Sequence, residues 1–270
     1  MPRRRAKPVL TAATADKYDL YQRSVQDADL DVDFLFMVYQ RIHRRRPRHL
    51  REDFCGTALI AANWVARGER YTAEGFDIDP EPLAWGIEHN LAPLGAAAER
   101  VVLHRRDVRD PGQKPADVRC AMNFSYQVFH NRADMGSYFR HVHDTLAKRG
   151  IFVMDMHGGW QATEDQSEER ELSGFTYVWH QRSYQPVTAR HDCAIHFRFP
   201  DDSWLRDAFV YDWRHWTMVE LVELLREAGF HRIDPYFEEF DEDGDGNGEF
   251  AKSRTGPSCP SWLAYLVAVK

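Results

Sequence analysis

A chain of 270 residues, 43% of them hydrophobic, is long enough to bury a substantial core, and a single globular unit is expected. Its net charge of −7 argues against a general nucleic-acid binder, whose surface must neutralise phosphate. The four cysteines, Cys55, Cys120, Cys193 and Cys259, form no C-x-x-C pair, so they indicate neither a disulfide framework nor a zinc site and suit a reducing compartment.

Residues 1–14 mix Arg, Pro and Ala and are expected to be mobile, with no apolar run long enough for a signal peptide. No later stretch reaches membrane-spanning length, so a soluble cytoplasmic protein is the expectation. Residues 15–25 can form a short helix with Tyr18 and Tyr21 on one side. Residues 31–45 place Val32, Leu35, Phe36, Tyr39 and Ile42 at helical spacings, and the basic run Arg41, Arg44, Arg45, Arg46 complements the carboxyl end of that helix. Pro47 ends it.

Residues 49–90 hold the pattern around which the chain is organised: a strand (50–54), a tight Cys55-Gly56-Thr57-Ala58 turn, a helix (59–67), a second strand ending in Gly75-Phe76-Asp77, and a helix beginning near Pro80. This is a βαβ unit. Its turn sits where a strand's carboxyl end meets a helix's amino end, and its small residues let a ligand approach the backbone closely. Asp77 follows Gly56 by about the twenty residues expected of a carboxylate that grips ribose hydroxyls.

Further on, residues 101–104 make a third strand followed by an Asp107-Val108 turn, and residues 116–123 a fourth, ending in Asn123-Phe124-Ser125-Tyr126. Residues 132–147 are helical, with Lys148-Arg149-Gly150 expected as the closing cap. The apolar run 151–156 reads as a central parallel strand. Asp155 and His157 stand at its carboxyl end, where open α/β sheets bind ligands, and His157 is a candidate base. After a polar stretch at 160–171, expected as a loop, residues 175–182, 191–199 and 204–213 alternate aromatic or branched residues with polar ones. They read as antiparallel strands; no helix interrupts them, so they form an insertion rather than further βαβ units. Residues 217–228 form a helix capped by Thr217 with Glu220 and stopped by Gly229. Two last strands, 231–240 and 261–269, are joined by residues 241–260. In that connection Asp241, Asp243 and Asp245 before Gly246 imitate the start of a calcium loop, but the twelfth position is Lys252, and no metal is expected.

The segment Glu52-Asp53-Phe54-Cys55-Gly56-Thr57-Ala58 resembles the acidic-x-Gly-x-Gly-x-Gly loop of class I S-adenosylmethionine-dependent methyltransferases, and Gly75-Phe76-Asp77-Ile78-Asp79 resembles that family's second motif. Phe54 and Ala58 stand where the family has glycine. The resemblance implies an α/β fold: a seven-stranded Rossmann-like sheet with helices on both faces, finished by an antiparallel hairpin. It also implies an antiparallel β insertion over residues 160–215 that roofs the substrate site, and an amino-terminal helical lid over residues 1–46, within a single domain.

The same resemblance implies S-adenosylmethionine as cofactor and S-adenosylhomocysteine as product. Glu52, Cys55, Gly56, Thr57, Asp77 and Ile78 become cofactor contacts, together with Asp107, Val108 and Asn123; Tyr21 and Arg23 reach in from the lid. Asp107 takes the adenine amino group, with Asp110 near enough to compete. The tetrapeptide at 123–126 resembles the (N/D)-P-P-Y motif of enzymes that methylate exocyclic amines of nucleic acids, but Phe124 and Ser125 replace both prolines. Tyr126, Asp155 and His157 are therefore general catalytic candidates, with Tyr126 facing substrate. Tyr177, Trp179, Trp213 and Trp216 are expected to wall the substrate pocket against the sulfonium or an amine. The expected activity is methyl transfer to a small molecule, nitrogen before oxygen. Two alternatives are an RNA or tRNA methyltransferase using the arginines from Arg41 to Arg51, and a non-catalytic S-adenosylmethionine-binding module. No feature specifies an oligomeric state.

Overall fold

The computed structural model describes residues 10–242, 244 and 246–270. The expected mobility of residues 1–9, and Asp243 and Asp245 of the calcium-like loop, lie outside them. The chain divides into two compact units, one of Asp27–Ala162 with Trp216–Lys270, the other of the described residues up to Gln26 with Thr163–His215. Of the residues 1–46 expected as a lid or cap, the described ones up to Gln26 belong to the unit that holds the insertion, and those from Asp27 belong to the larger unit.

In chain order the first elements are α1 (Lys17–Val25), α2 (Ala28–His43), β1 (His49–Asp53), α3 (Leu59–Ala66), β2 (Thr72–Asp77) and α4 (Pro80–Gly86). They are followed by β3 (Val101–Arg105), β4 (Ala116–Ala121), α5 (Arg132–Thr145) and β5 (Leu146–Gly158). Next come β6 (Gln166–Leu172), β7 (Phe175–Gln185), β8 (Arg190–Arg198) and β9 (Trp204–Arg214), then α6 (Met218–Glu227), β10 (Arg232–Phe240), β11 (Gly246–Lys252) and β12 (Trp262–Val269).

The larger unit is built on one sheet of order β11-β10-β12-β5-β4-β1-β2-β3. Strands β3, β2, β1, β4 and β5 are parallel, while β12, β10 and β11 are antiparallel to their neighbours. The seven expected strands are there, and β11 adds an eighth at the edge, in a stretch read from sequence as connection. Its glycines give no period-two signal; its partner β10, register Tyr236 with Lys252, supplies the order.

Strand alternation sends side chains to two cores. Ile151 and Val153 of β5 join Val32, Leu35, Trp64 and Val118 on the α2 and α3 face. Phe152 and Met154 join Tyr138, Phe139, Leu221 and Leu225 on the α5 and α6 face. Local capping sets the helix ends. Asp27 caps α2 by accepting the Leu30 N–H at 3.0 Å, starting that helix earlier than expected. Thr217 and Glu220 form the expected reciprocal box on α6, and Gly229, φ 108°, follows its end. The expected cap at 148–150 is corrected: α5 stops at Thr145, and Leu146 already pairs with Ala116, so Lys148, Arg149 and Gly150 lie in β5.

The smaller unit is an antiparallel meander, β6-β7-β8-β9. β6 was expected as loop because QSEEREL is polar on both sides; it pairs along its length with β7, from Gln166 with Gln181 to Leu172 with Phe175. Leu20 of α1 completes this unit's core with Phe175, Ile195, Phe197 and Phe199.

Candidate functional site

The site grows from the turn between β1 and α3. Phe54, Gly56 and Ala58 have φ of 54°, 51° and 56°, so every second residue is left-handed. That is the backbone a run of alternating glycines adopts at little cost, and here Phe54 and Ala58 carry a penalty of about 1–2 kcal/mol each. The turn is held from several sides. The Cys55 N–H donates to the Phe76 carbonyl at 2.9 Å, and the Gly56 N–H to Asp77 Oδ2 at 2.8 Å. The Thr57 carbonyl accepts from Asn90 Nδ2 at 2.8 Å, in the π-helical turn (Ile87–Leu91) that continues α4. A Cβ at Gly86 would lie 2.1 Å from that carbonyl, so only glycine lets α4 close onto the turn. Sequence reasoning named neither Gly86 nor Asn90. The available signal was a glycine inside a helical stretch that needs no turn.

Asp77 joins the two motif loops, since its other oxygen accepts the Asp79 N–H at 2.9 Å. Burial raises its pKa, partly opposed by the backbone N–H donors of Asp79 and Gly56. Beside it Ile78, a large apolar side chain, is 70% exposed.

Three carboxylates lie under this end of the sheet. Glu52, expected to touch cofactor, is 3% exposed, and its Oε2 accepts the Ala61 N–H at 2.8 Å. It caps α3, whose N-cap residue Ala58 offers no side-chain acceptor. Burial pushes it up to about 8. Asp155 accepts the N–H groups of Asn123 (2.7 Å) and Phe124 (2.9 Å), two consecutive left-handed residues, and so fixes the turn after β4. Burial pushes it up to about 7. Asp31 of α2, accepting from the Tyr265 hydroxyl, is pushed by burial to about 6. Asp31 went unnamed in the sequence, although it precedes buried Leu35 by one helical turn. His157 lies edge-on to the Phe124 ring, centroids 4.5 Å apart. The expectation that Tyr126 faces substrate is corrected: it is fully buried in the α5 and α6 core.

The Asp107-Val108 turn rests on a buried ionic cradle. Arg51 Nη2 and Arg119 Nη2 both donate to the Val108 carbonyl, at 2.7 and 2.6 Å. Their Nε atoms converge on Asp53 at 2.9 and 2.5 Å, and the Tyr138 hydroxyl donates to Asp53 at 2.7 Å. Above it Asp107 is gripped by the fork of Arg109 (2.9 and 2.7 Å), which lowers its pKa. The Asp110 carbonyl accepts from His141.

In the smaller unit Tyr21 packs on Phe209, centroids 4.8 Å apart. Arg23 is engaged by Asp19 (3.1 Å), the Ser173 carbonyl (2.6 Å) and the Phe175 ring, all within that unit. Trp179, Tyr211 and Trp213 form an aromatic cluster, while Tyr177 lies against Phe197. Trp216 is no part of it: this ring is buried in the larger unit, donating to the Phe129 carbonyl at 3.0 Å.

Among the described residues no group of three His, Cys, Asp or Glu could hold a metal ion, and no helix is long and apolar enough to cross a membrane. No family model and no curated protein sequence matches the chain. Solved structures do. An S-adenosylmethionine-dependent methyltransferase from Clostridium acetobutylicum is similar over 92% of this chain and 96% of its own, with TM-score 0.67 and 14% identity. The sugar N-methyltransferase KedS8 from Streptoalloteichus is similar over 100% and 99%, with TM-score 0.62 and 19% identity. CalS10, an amino pentose methyltransferase from Micromonospora echinaspora solved with S-adenosylmethionine bound, is similar over 94% and 97%, with TM-score 0.65 and 15% identity. The fold is that of S-adenosylmethionine-dependent methyltransferases.

Proposed function

We propose that this chain transfers a methyl group from S-adenosylmethionine to a small-molecule acceptor, with an amine nitrogen as nucleophile. The observation that carries the reading is the turn at 54–58, left-handed at every second residue and tied through the Gly56 N–H to the Asp77 carboxylate. Its residues fit the cofactor. Asp77, at the carboxyl end of β2, takes the ribose hydroxyls, and exposed Ile78 covers one face of the purine. Asp107, steadied by Arg109 and by the cradle under Val108, accepts the adenine amino group. Asn123, held by Asp155, and the backbone of Cys55 and Thr57 border the methionine moiety.

When bound, the cofactor supplies a methyl group already activated on a positive sulfonium. The protein's part is to align, to exclude water and to receive a proton. Asp31 and Asp155, whose pKa values burial raises, favour a cationic ligand that draws them into the ionised form. His157 takes the proton of the attacking amine. Tyr177 and Trp179, with Trp213 beside Trp179, give the smaller unit an aromatic surface suited to an amine-bearing acceptor. The amine preference is supported by what two similar structures are named for, a sugar N-methyltransferase and an amino pentose methyltransferase. The reading includes a cytoplasmic setting, supported by four cysteines that are all free thiols, and no nucleic-acid partner.

The test is incubation of the purified protein with methyl-labelled S-adenosylmethionine and paired acceptors that differ only in carrying an amine or a hydroxyl, amino sugars among them. Label on the amine member is expected. Label only on hydroxyl members removes the nitrogen preference, label in RNA removes the small-molecule reading, and failure to bind the cofactor removes the enzyme reading.

A further inference from the structure

The basic run after α2 plays no part in the proposed transfer, yet it lines a cavity. A space of about 560 Å³ opens at the amino ends of β1, β2 and β4, bounded by Arg45, Arg46, Pro47, Arg48, Arg70 and Asp117. Four guanidiniums against one carboxylate leave three net positive charges, on a chain whose total is −7. The carboxylate is already fully engaged. Asp117 Oδ1 accepts from Arg45 Nη2 (3.1 Å) and the Tyr39 hydroxyl (3.3 Å); Oδ2 accepts the backbone N–H groups of Arg48 (2.8 Å) and His49 (3.2 Å). Arg46, Arg48 and Arg70 form no ion pair among the described residues.

The complement of the α2 dipole does not account for this grouping. That effect reaches only the last helical turn, whereas Arg48 leads into β1 and Arg70 lies in the loop before β2. The fold brings three separate segments together here, with Asp117 pinning the backbone between them. The negative helix terminus, about half a charge, is small beside three guanidiniums. A guanidinium fork matches two phosphate oxygens at once, and several in one cavity suit an anion with adjacent phosphates better than a single ion. The volume lies within the range of about 300–1,000 Å³ typical of small-ligand sites. From Arg48 to Phe54 the chain runs the length of β1, about 20 Å at the rise of a strand, so such a ligand would sit at the end of the sheet opposite the 54–58 turn.

We propose that this cavity is a binding site for a diphosphate-bearing anion of up to nucleotide size, separate from the methyl-transfer site. Calorimetric titration of the intact chain with pyrophosphate at low ionic strength tests it, with orthophosphate and short and long RNA oligomers as comparators. Saturable one-to-one binding, tighter than for orthophosphate and weakened by salt, is expected. The triple variant Arg46→Ala, Arg48→Ala, Arg70→Ala should lose at least about tenfold in affinity, because it removes charge-assisted forks. Its circular dichroism should stay as in the parent, since all three side chains are exposed. The matching Arg→Lys triple keeps the charge but not the forks and should lose about threefold or more. Undiminished pyrophosphate binding in the alanine variant overturns the proposal. So does undiminished binding in the lysine variant, which reduces the site to diffuse charge, or RNA binding that tightens with oligomer length through the same arginines, which makes the surface macromolecular. S-adenosylhomocysteine titrated into the same variants should bind as to the parent; if the parent fails to bind it, the cofactor reading falls while the anion site stands or falls on the pyrophosphate result.

Discussion

Gly86 carries a constraint that its place in a helix conceals. Its Cβ would meet the Thr57 carbonyl at 2.1 Å, a backbone contact that no side-chain rotation relieves. Gly86→Ala should therefore push α4 away from the 54–58 turn, at about 1–3 kcal/mol of stability, and weaken S-adenosylhomocysteine binding by about tenfold or more. Urea unfolding and calorimetric titration read the two effects. Unchanged binding in a folded Gly86→Ala protein would show that the close approach is not needed. Gly56 offers the contrast: φ is +51° but no atom of the described residues lies within 4 Å of its would-be Cβ, so alanine there meets strain without collision among them. At this scale the turn was only half legible. Gly56 and Asp77 stand out by spacing, whereas Phe54 and Ala58 hide the alternation that their φ values reveal, because the surrounding packing holds non-glycine residues in a left-handed form.

Among the elements, β1 and β4 are joined by more than their ladder. Arg51, Asp53 and Arg119, with Tyr138 of α5, form a buried polar group that ends on the Val108 carbonyl and so ties both strands to the turn proposed to meet adenine. A buried ion pair is weak evidence for net stability, but leaving one of its members unsatisfied is costly. Tyr138→Phe removes one hydrogen bond to a charged acceptor while keeping the ring, and should lower unfolding stability by about 1.5–3 kcal/mol. Chemical denaturation measures it; a loss below about 0.5 kcal/mol, the usual scale of inconsequential surface changes, would mean that the arginines alone satisfy Asp53. The cradle had a sequence signal that went unread, since Arg119 stands in the middle of a strand whose neighbours are apolar. Strands β6 and β11 had none. Both are polar or glycine-containing and exposed, and they exist because a neighbouring strand offers its hydrogen-bonding edge.

For the whole molecule the buried carboxylates set a pH dependence. Asp31, Asp155 and Glu52 are raised from 3.8, 3.8 and 4.5 to about 6, 7 and 8, with burial the leading cause in each. Between the ordinary and the raised values the folded chain keeps protons that the unfolded chain releases, so this stability is full below about pH 4 and is lost as pH rises toward 8. Glu74 works the other way. Burial would raise it, but His49, the Gln113 N–H and His104 outweigh that and hold it at about 2, so its contribution is lost as pH falls below about 4.5. His191, which burial lowers to about 4, contributes stability that is lost as pH falls below about 6.5, so the ligand-free protein should show a steady decline of its thermal midpoint from pH 6.5 to pH 8.5, read by calorimetry. A midpoint that rises across that interval contradicts the burial of these groups.

What the sequence by itself determined is what local chemistry decides. The βαβ order, the apolar run 151–156 within β5, the caps at Thr217 and Gly229 and the spacing of Asp77 from Gly56 all follow from the period of apolar residues and the positions of a few special ones. Only the tertiary structure decided which polar groups are enclosed. It put Tyr126 in the core, Glu52 against α3 and Arg119 under Val108, and it gathered Arg46, Arg48 and Arg70 around one cavity. Burial, and with it pKa and charge complementarity, depends on distances between residues remote in sequence, and no one-dimensional period contains those distances.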